Sequence, residues 1–201
     1  MKYKIKSTKT AHSGFLNVKR IEVEYDCFEP GRTISATREI LERNDAVAII
    51  LFEKDSESIL LAKQFRFPAS AKDKQSGYED AGWLLEIPAG VIDENEKPED
   101  AVRREVDEEL GYRVGDVELI TIFYLSPAVS TERIFLYYAE INSSDKVSGG
   151  GGVKDENEDI QGYKLPVSLI PGVIKDRRIH DAKSIVGLQW FLMNRGQVQG
   201  S

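Results

Sequence analysis

The sequence predicts a mixed α/β fold in which a β-sheet lies between helices. Short apolar or alternating runs, which are typical of strands, stand on both sides of a clear helical segment at about 98–110. A second amphipathic stretch, at about 181–193, closes the pattern. Because sheets and helices must each bury an apolar face, this order favours helices packed against a sheet.

The N-terminal strands are expected to form an antiparallel β extension at residues 1–44. Residues 16–26 and 33–42 alternate between apolar and polar side chains, and Pro30-Gly31 separates the two runs. Alternation of this kind is typical of strands with one buried face, and a Pro-Gly pair is typical of a turn.

Residues 45–195 are expected to form the main domain, and residues 196–201 a flexible tail. Ala46–Phe52 is continuously apolar, which suits a buried central strand, and Ser58–Phe65 is its predicted hairpin partner. The other predicted elements are a long loop at 69–82, strands at 83–87, 116–125, 132–141 and 161–165, and a glycine-rich break at 148–152.

Composition and charge narrow the class of protein. The 201 residues carry a net charge of −7, which argues against a general nucleic-acid binder with a basic face. No apolar run approaches the roughly 18–20 residues that span a bilayer. The basic start, Met1–Lys6, lacks the apolar core of a signal peptide. We therefore expect a cytoplasmic protein without a membrane or nucleic-acid partner.

The predicted helix at 98–110 gathers carboxylates on one face. Pro98 suits the first turn and Gly111 the end of the helix. Glu105, Glu108 and Glu109 are three or four residues apart, so that their side chains lie close together. Hard divalent ions such as magnesium prefer oxygen ligands, and two of them can clamp a phosphoryl group. The alternative is a solvated acidic helix face.

The spacing of residues before and after the helix favours a metal site over a solvated acidic face. Residues 90–112 read GVIDENEKPEDAVRREVDEELGY. This segment resembles the Nudix box, G-x5-E-x7-R-E-U-x-E-E-x-G-U, where U is aliphatic. The match departs only at Tyr112, where the box usually has an aliphatic residue. The resemblance implies a Nudix fold, with a mixed sheet between helices, and hydrolysis of a nucleoside diphosphate linked to another group.

The resemblance also implies roles for individual residues. The expected magnesium ligands are the side chains of Glu105, Glu108 and Glu109 and the backbone carbonyl of Ala89, and manganese is a possible substitute ion. Residues expected to support the loop and the helix are Glu96, Arg104, Gly90 and Gly111.

Two stretches after the box resemble ADP-ribose pyrophosphatases and related nucleotide-sugar hydrolases. One contains Ser126-Pro127 and Thr131-Glu132-Arg133, and the other is GGGGVKDENEDI at residues 149–160. In this resemblance Glu156 corresponds to the general base and Glu158 to a further metal ligand. The glycines would provide a hinge for closure over substrate. The alternative for this loop is a disordered acidic linker.

Two further residues are candidates for substrate binding by the same resemblance. Arg66, at the end of a predicted strand, would contact the diphosphate, since its planar donors match phosphate oxygens in pairs. Glu132 would bind the terminal sugar. The alternatives are a surface ion pair for Arg66 and a strand-capping role for Glu132.

The sequence thus predicts a magnesium-dependent pyrophosphohydrolase that prefers ADP-ribose and releases AMP and ribose 5-phosphate. Catalysis is expected to involve Glu105, Glu109 and Glu156. GDP-mannose and UDP-glucose remain alternative substrates, and a non-catalytic Nudix sensor or a protein-binding acidic helix remain alternative functions. The strands at 1–44 have no place in a minimal Nudix domain, and we expect them to mediate homodimerisation.

Overall fold

The computed structural model describes residues 1–73 and 82–198. Two compact units are present: Met1–Asp45 with Phe123–Arg133, and Ala46–Ile122 with Ile134–Ser201. Within the described ranges, no helix combines the length and apolar character needed to cross a membrane.

The first unit contains a three-stranded antiparallel sheet in the order β1-β2-β3. Its strands are β1 (Tyr3–Ser13), β2 (Asn17–Asp26) and β3 (Thr33–Glu42). The pairing of β2 with β3 runs without a break from Asn17–Glu42 to Asp26–Thr33. The predicted strands at 16–26 and 33–42 are therefore confirmed. Strand β1 was not predicted, because its polar-rich sequence does not alternate clearly.

Residues 123–133 join this first unit, although the sequence placed them in the main domain. The backbone N–H of Leu41 donates to the carbonyl of Val129 at 2.7 Å, and the N–H of Thr131 donates to the carbonyl of Leu41 at 3.1 Å. Arg133 donates from Nε to Oδ1 of Asp45 at 3.1 Å. These contacts join residues about 90 positions apart in the chain. Local sequence patterns do not predict contacts over such a distance.

The second unit contains a mixed sheet in the order β10-β5-β4-β9-β8, with β6 pairing with β5 and β7 pairing with β4. Strand β4 runs parallel to β9 and antiparallel to β5. The strands are β4 (Ala46–Glu53), β5 (Ser58–Phe65), β6 (Trp83–Glu86), β7 (Ala89–Val91), β8 (Glu118–Tyr124), β9 (Arg133–Ile141) and β10 (Gln161–Pro166).

Helices cover both faces of this sheet, which confirms the predicted fold class. Alternate residues of β4, among them Ile49 and Leu51, share a buried core with Val102 and Val106 of helix α2 (Pro98–Leu110). The other face of β4 carries Phe52, whose ring packs 5.2 Å from that of Phe191. Phe191 belongs to helix α4 (Ala182–Val198).

Two local expectations were wrong, and one short helix was not predicted. Helix α1 (Phe67–Asp73) occupies the start of the predicted loop at 69–82, and residues 74–81 lie outside the described residues. The backbone N–H groups of Ala69 and Ser70 donate to the carbonyl of Arg66, which begins this helical turn. Helix α3 (Ile170–Lys175) is too short for its periodicity to be recognised. Residues 196–198 of the predicted tail continue helix α4.

Candidate active site

Helix α2 presents the acidic side chains of the site. It begins with Pro98 in the first turn and ends at Gly111, which adopts a left-handed conformation with φ of 74°. In that conformation the N–H of Gly111 donates to the carbonyls of Val106 and Asp107 and closes the helix. The predicted helix and both of its end signals are therefore confirmed.

Arg104 lies at the centre of a carboxylate network. Its guanidinium donates from Nε to Oε1 of Glu96 at 2.9 Å and from Nη2 to Oε2 of Glu96 at 3.0 Å. Its Nη1 donates to Oε1 of Glu105 at 2.8 Å and to Oε2 of Glu108 at 3.0 Å. Nη2 also donates to the carbonyl of Val91 at 3.0 Å. Arg104 thus connects the loop after β7 to helix α2, and its pairing with Glu108 joins two residues four positions apart on one helix face.

Strand β7 passes directly against the carboxylate of Glu105. A Cβ atom built on Gly90 would lie 1.9 Å from Cδ and Oε1 of Glu105, a distance that no pair of unbonded atoms can adopt. Only glycine therefore fits at this position while Glu105 keeps its place. The neighbouring Ala89 donates its backbone N–H to the carboxylate of Glu109.

Glu109 is a buried carboxylate that lacks a full set of partners. Its side chain is 3% exposed, and Oε2 has no hydrogen-bond partner among the described residues. Burial, together with the negative charges of Glu105 and Glu158, raises the pKa of Glu109 well above its ordinary value. Burial also raises the pKa of Glu105 to about 7, against the opposing charge of Arg104. The cluster is therefore short of positive charge.

A divalent cation fits this deficit. Carboxylate oxygens are the ligands that magnesium prefers, and a cation would satisfy the unpartnered oxygen of Glu109. Among residues 1–73 and 82–198, no three acidic, histidine or cysteine side chains already converge as a ligand set. Arg104 instead neutralises Glu105 and Glu108. The ligand roles of Glu105, Glu108 and Glu109 stay predictions that the charge balance supports.

The glycine-rich loop packs onto the end of helix α2. The N–H groups of Gly151 and Gly152 donate to the carbonyls of Glu109 and Glu108, each at 2.9 Å. Gly150, Gly151 and Gly152 all have positive φ, and a Cβ on Gly150 would lie 2.6 Å from the carbonyl oxygen of Glu109. The glycines thus allow close approach to the helix end. The structure describes an anchored loop rather than a disordered linker, while the hinge stays a prediction.

This packing brings Glu158 to the site. A Cβ on Gly152 would lie 2.7 Å from Glu158, and Oε2 of Glu158 accepts the N–H of Val153 at 3.0 Å. The charge of Glu158 contributes to the raised pKa values of both Glu105 and Glu109. Glu156 lies in an exposed single turn of 3-10 helix, Lys154–Glu156. Its role as the base stays a prediction.

Arg66 is held by a buried partner that the sequence analysis missed. Its Nε and Nη2 donate to the two oxygens of Glu86, each at 3.0 Å. Nζ of Lys183 lies 3.5 Å from Oε2 of Glu86 and 2.7 Å from Oδ1 of Asp181. Glu86 is the single carboxylate in the otherwise apolar strand β6, and a buried charge requires a partner. This isolated carboxylate is the feature of the sequence that could have revealed the pair. The pair fixes the plane of the Arg66 guanidinium.

Glu132 belongs to the first unit. Its Oε1 is 3.5 Å from Nε of Arg43, and its backbone N–H donates to Oγ of Ser130. The predicted contact of Glu132 with a sugar is not tested by these interactions, and it stays a prediction.

The chain belongs to the Nudix family, since a family model described as the NUDIX domain matches residues 42–185. It is 32% identical to the ADP-ribose pyrophosphatase of Haemophilus influenzae, over 96% of this chain and 87% of the relative. It is 38% identical to the GDP-mannose pyrophosphatase of Pectobacterium atrosepticum, over 80% of this chain and 82% of the relative. These relationships indicate a hydrolase that acts on pyrophosphate bonds.

The fold is also found in a solved structure described as an ADP compounds hydrolase. The two structures superpose with a TM-score of 0.74, over 98% of this chain and 96% of the other, at 19% sequence identity. At that identity the likeness shows the fold alone, and it agrees with the mixed sheet and flanking helices described above.

Proposed function

We propose that the protein hydrolyses the diphosphate bridge of a nucleoside diphosphate sugar, with ADP-ribose as the preferred substrate. The observation that carries this proposal is the cluster of carboxylates around Glu109, in which a buried carboxylate oxygen has no hydrogen-bond partner among the residues that the structure describes. A bound cation would compensate the negative charge of this cluster. The same cation would attract the doubly charged diphosphate of the substrate. The ADP-ribose pyrophosphatase relative aligns along 96% of this chain, including the first unit.

The metal would be Mg²⁺, with Mn²⁺ as a substitute. It would be held by the carbonyl of Ala89 and by Glu105, Glu108, Glu109 and Glu158. When bound, it would neutralise the phosphate oxygens and stabilise the charge that develops as the bridge breaks.

The residues of the chain would position the substrate and the water. The Arg66 guanidinium, held flat by Glu86, would donate to the diphosphate oxygens. Glu156 would take a proton from the attacking water. The water oxygen would form a bond to one phosphorus as the bond from that phosphorus to the bridging oxygen breaks. The products would be AMP and ribose 5-phosphate, and most of the acceleration would come from positioning and charge stabilisation.

GDP-mannose is the second candidate substrate. The relative from Pectobacterium atrosepticum, a GDP-mannose pyrophosphatase, has 38% identity, which exceeds the 32% of the ADP-ribose pyrophosphatase. UDP-glucose remains a third alternative. The complete set of box carboxylates argues against a non-catalytic sensor, because such a sensor has no need for all of them.

We also propose a cytoplasmic homodimer. The strands of the first unit contain no fully buried residue, and β1 leaves Tyr3 74% exposed and Ile5 51% exposed. Exposed apolar side chains on a small sheet favour cover by a partner. A light-scattering mass of two chains is expected, and a mass of one chain at working concentration would contradict this part of the proposal.

A substrate panel tests the proposed activity. ADP-ribose, GDP-mannose, UDP-glucose and diadenosine polyphosphates would be compared by kcat/KM in magnesium, with product release followed by chromatography. Glu105→Gln is expected to lose about 2–4 kcal/mol of transition-state stabilisation or more. Asp107→Asn removes an exposed carboxylate from the same helix and should retain activity. Near-normal turnover of Glu105→Gln, or no hydrolysis of any compound, would contradict the proposal.

A further inference from the structure

A cleft lies on the second unit, between the strands β5, β6 and β10 and the segment that follows α3. Its volume is about 480 Å³, within the range of roughly 300–1,000 Å³ that small-molecule sites occupy. Among the described residues of its lining, most carry a basic or an aromatic side chain: Lys63, Trp83, Tyr163, Arg177, Arg178 and His180.

This cleft lies on the opposite face of the sheet from helix α2. In β5, Leu60 and Ala62 point into the core shared with helix α2. Side chains alternate between faces along a strand, so Lys63 points to the other face. Tyr163 pairs with Leu61 and Trp83 pairs with Phe65, which places both aromatic residues on the same face as Lys63. The cleft is therefore separate from the carboxylate cluster.

The cleft is a cationic region on an acidic chain. The chain carries a net charge of −7, yet among the described residues of the lining two adjacent arginines, Arg177 and Arg178, stand beside a single carboxylate, Asp176. Arg177 and Arg178 are exposed, and neither forms an ion pair with another residue in the described ranges. Guanidinium groups that point into a cleft without carboxylate partners can bind phosphate oxygens in pairs.

Arg177 also occupies a backbone position that favours glycine. Its φ is 55°, and its N–H donates to the carbonyl of Ile174 at 3.1 Å, which ends helix α3. Glycine at this position could end the helix in the same left-handed conformation. It would avoid the steric cost that a Cβ atom adds there. Arg177 therefore keeps its side chain at a sterically costly backbone position that lines the cleft.

Two flat rings complete the cleft. Trp83 and Tyr163 are each 42% exposed, so that both rings present surface to the cavity. The ring of Trp83 also packs, tilted, against that of Phe65 at a centroid distance of 5.5 Å. Exposed aromatic rings of this kind stack on nucleobases whatever the base, because every base has a flat π-face.

We propose that this cleft is a binding site for a nucleoside monophosphate, separate from the site of hydrolysis. The base would stack on Trp83 and Tyr163, and the phosphate would be held by Arg177 and Arg178. A neighbouring cavity of about 610 Å³ shares Lys63 and Trp83 with the cleft and extends to Gly149 and Asp159 of the glycine-rich loop. Through this neighbouring cavity the cleft adjoins the loop that carries Glu158.

Calorimetric titration of the whole protein in excess chelator tests this site. The probes are AMP, GMP and inorganic phosphate, since chelation removes binding that depends on a metal at the carboxylate cluster. The double variant Arg177→Gly, Arg178→Gln keeps the backbone conformation favourable and is expected to weaken AMP binding at least tenfold. Arg38→Gln removes one exposed positive charge from the first unit and is expected to bind AMP like the wild type.

The results of these titrations can distinguish failure of the cleft proposal from failure of the proposed hydrolytic function. Binding of AMP that survives both chelation and Glu105→Gln, but is lost in the double variant, supports the cleft even if no substrate is hydrolysed. Equal AMP binding by the double variant and the wild type would overturn the proposal, provided that thermal melting shows both to be folded. Binding of inorganic phosphate as tight as that of AMP would overturn the stacking role of the two rings.

Discussion

Removal of the charge at Glu105 should change how the stability of the metal-free protein depends on pH. Burial raises the pKa of Glu105 from 4.5 to about 7 in the folded state. At pH values between 4.5 and about 7, the carboxyl group of Glu105 is protonated in the folded protein and ionised in the unfolded chain. The stability of the wild type should therefore fall as the pH rises through this window. Glu105→Gln cannot titrate, so it should lack this loss.

The size of the effect follows from the same shift. Each pKa unit corresponds to about 1.4 kcal/mol, so the advantage of Glu105→Gln over the wild type should grow by up to about 3 kcal/mol between pH 5 and pH 8. The change should be largely complete above pH 7, where Glu105 is ionised in both states. Added magnesium should remove it in the wild type, because a bound cation stabilises the ionised form.

Urea unfolding in chelator, at constant ionic strength, measures this difference. Both tryptophans, Trp83 and Trp190, lie in the second unit, so their fluorescence reports on the unit that contains the site. Asp107→Asn, which removes an exposed carboxylate from the same helix, serves as the matched control and should follow the wild type. If the wild type and Glu105→Gln lose stability in parallel from pH 5 to pH 8, then the cluster is not short of positive charge and the reasoning fails.

Three further substitutions test the site. Gly90→Ala should lower kcat/KM at least tenfold while circular dichroism stays unchanged, because the new Cβ would displace the Glu105 carboxylate; Gly115→Ala has open space around it and is the control. Full activity of Gly90→Ala would show that Glu105 can move without consequence. Arg66→Lys should weaken substrate binding about tenfold through loss of paired donors, seen as a higher KM, and an unchanged KM would remove Arg66 from the diphosphate site. Glu156→Gln should lower kcat by about 10²–10⁴-fold with little change in KM, as expected for a general base, and unchanged turnover at saturating substrate would place the base elsewhere.

The sequence predicted those parts of the site that depend on local spacing. Helix α2 forms from Pro98 to Leu110 as expected, because a proline in the first turn, acidic residues beside it and a terminal glycine each act within one helical turn. The pairing of Arg104 with Glu108 follows from their four-residue separation. Such short-range geometry can be read directly from the order of the residues.

The parts that the sequence did not reveal depend on residues far apart in the chain. Oγ of Ser184 accepts the N–H of Ile87 across 97 positions, and Lys183 reaches Glu86 beside it. These contacts join helix α4 to the strand that leads into the box, and they position Arg66 through Glu86. No periodicity within either segment carries that information, because it arises only when the sheet assembles.

Hydrolysis of ADP-ribose before and after chelation, followed by ³¹P spectroscopy, tests the central claim most directly. The diphosphate signals should persist in chelator and be replaced by those of two phosphate monoesters once excess magnesium is restored. Full conversion in chelator would contradict the claim that the carboxylates around Glu109 act by holding a divalent cation.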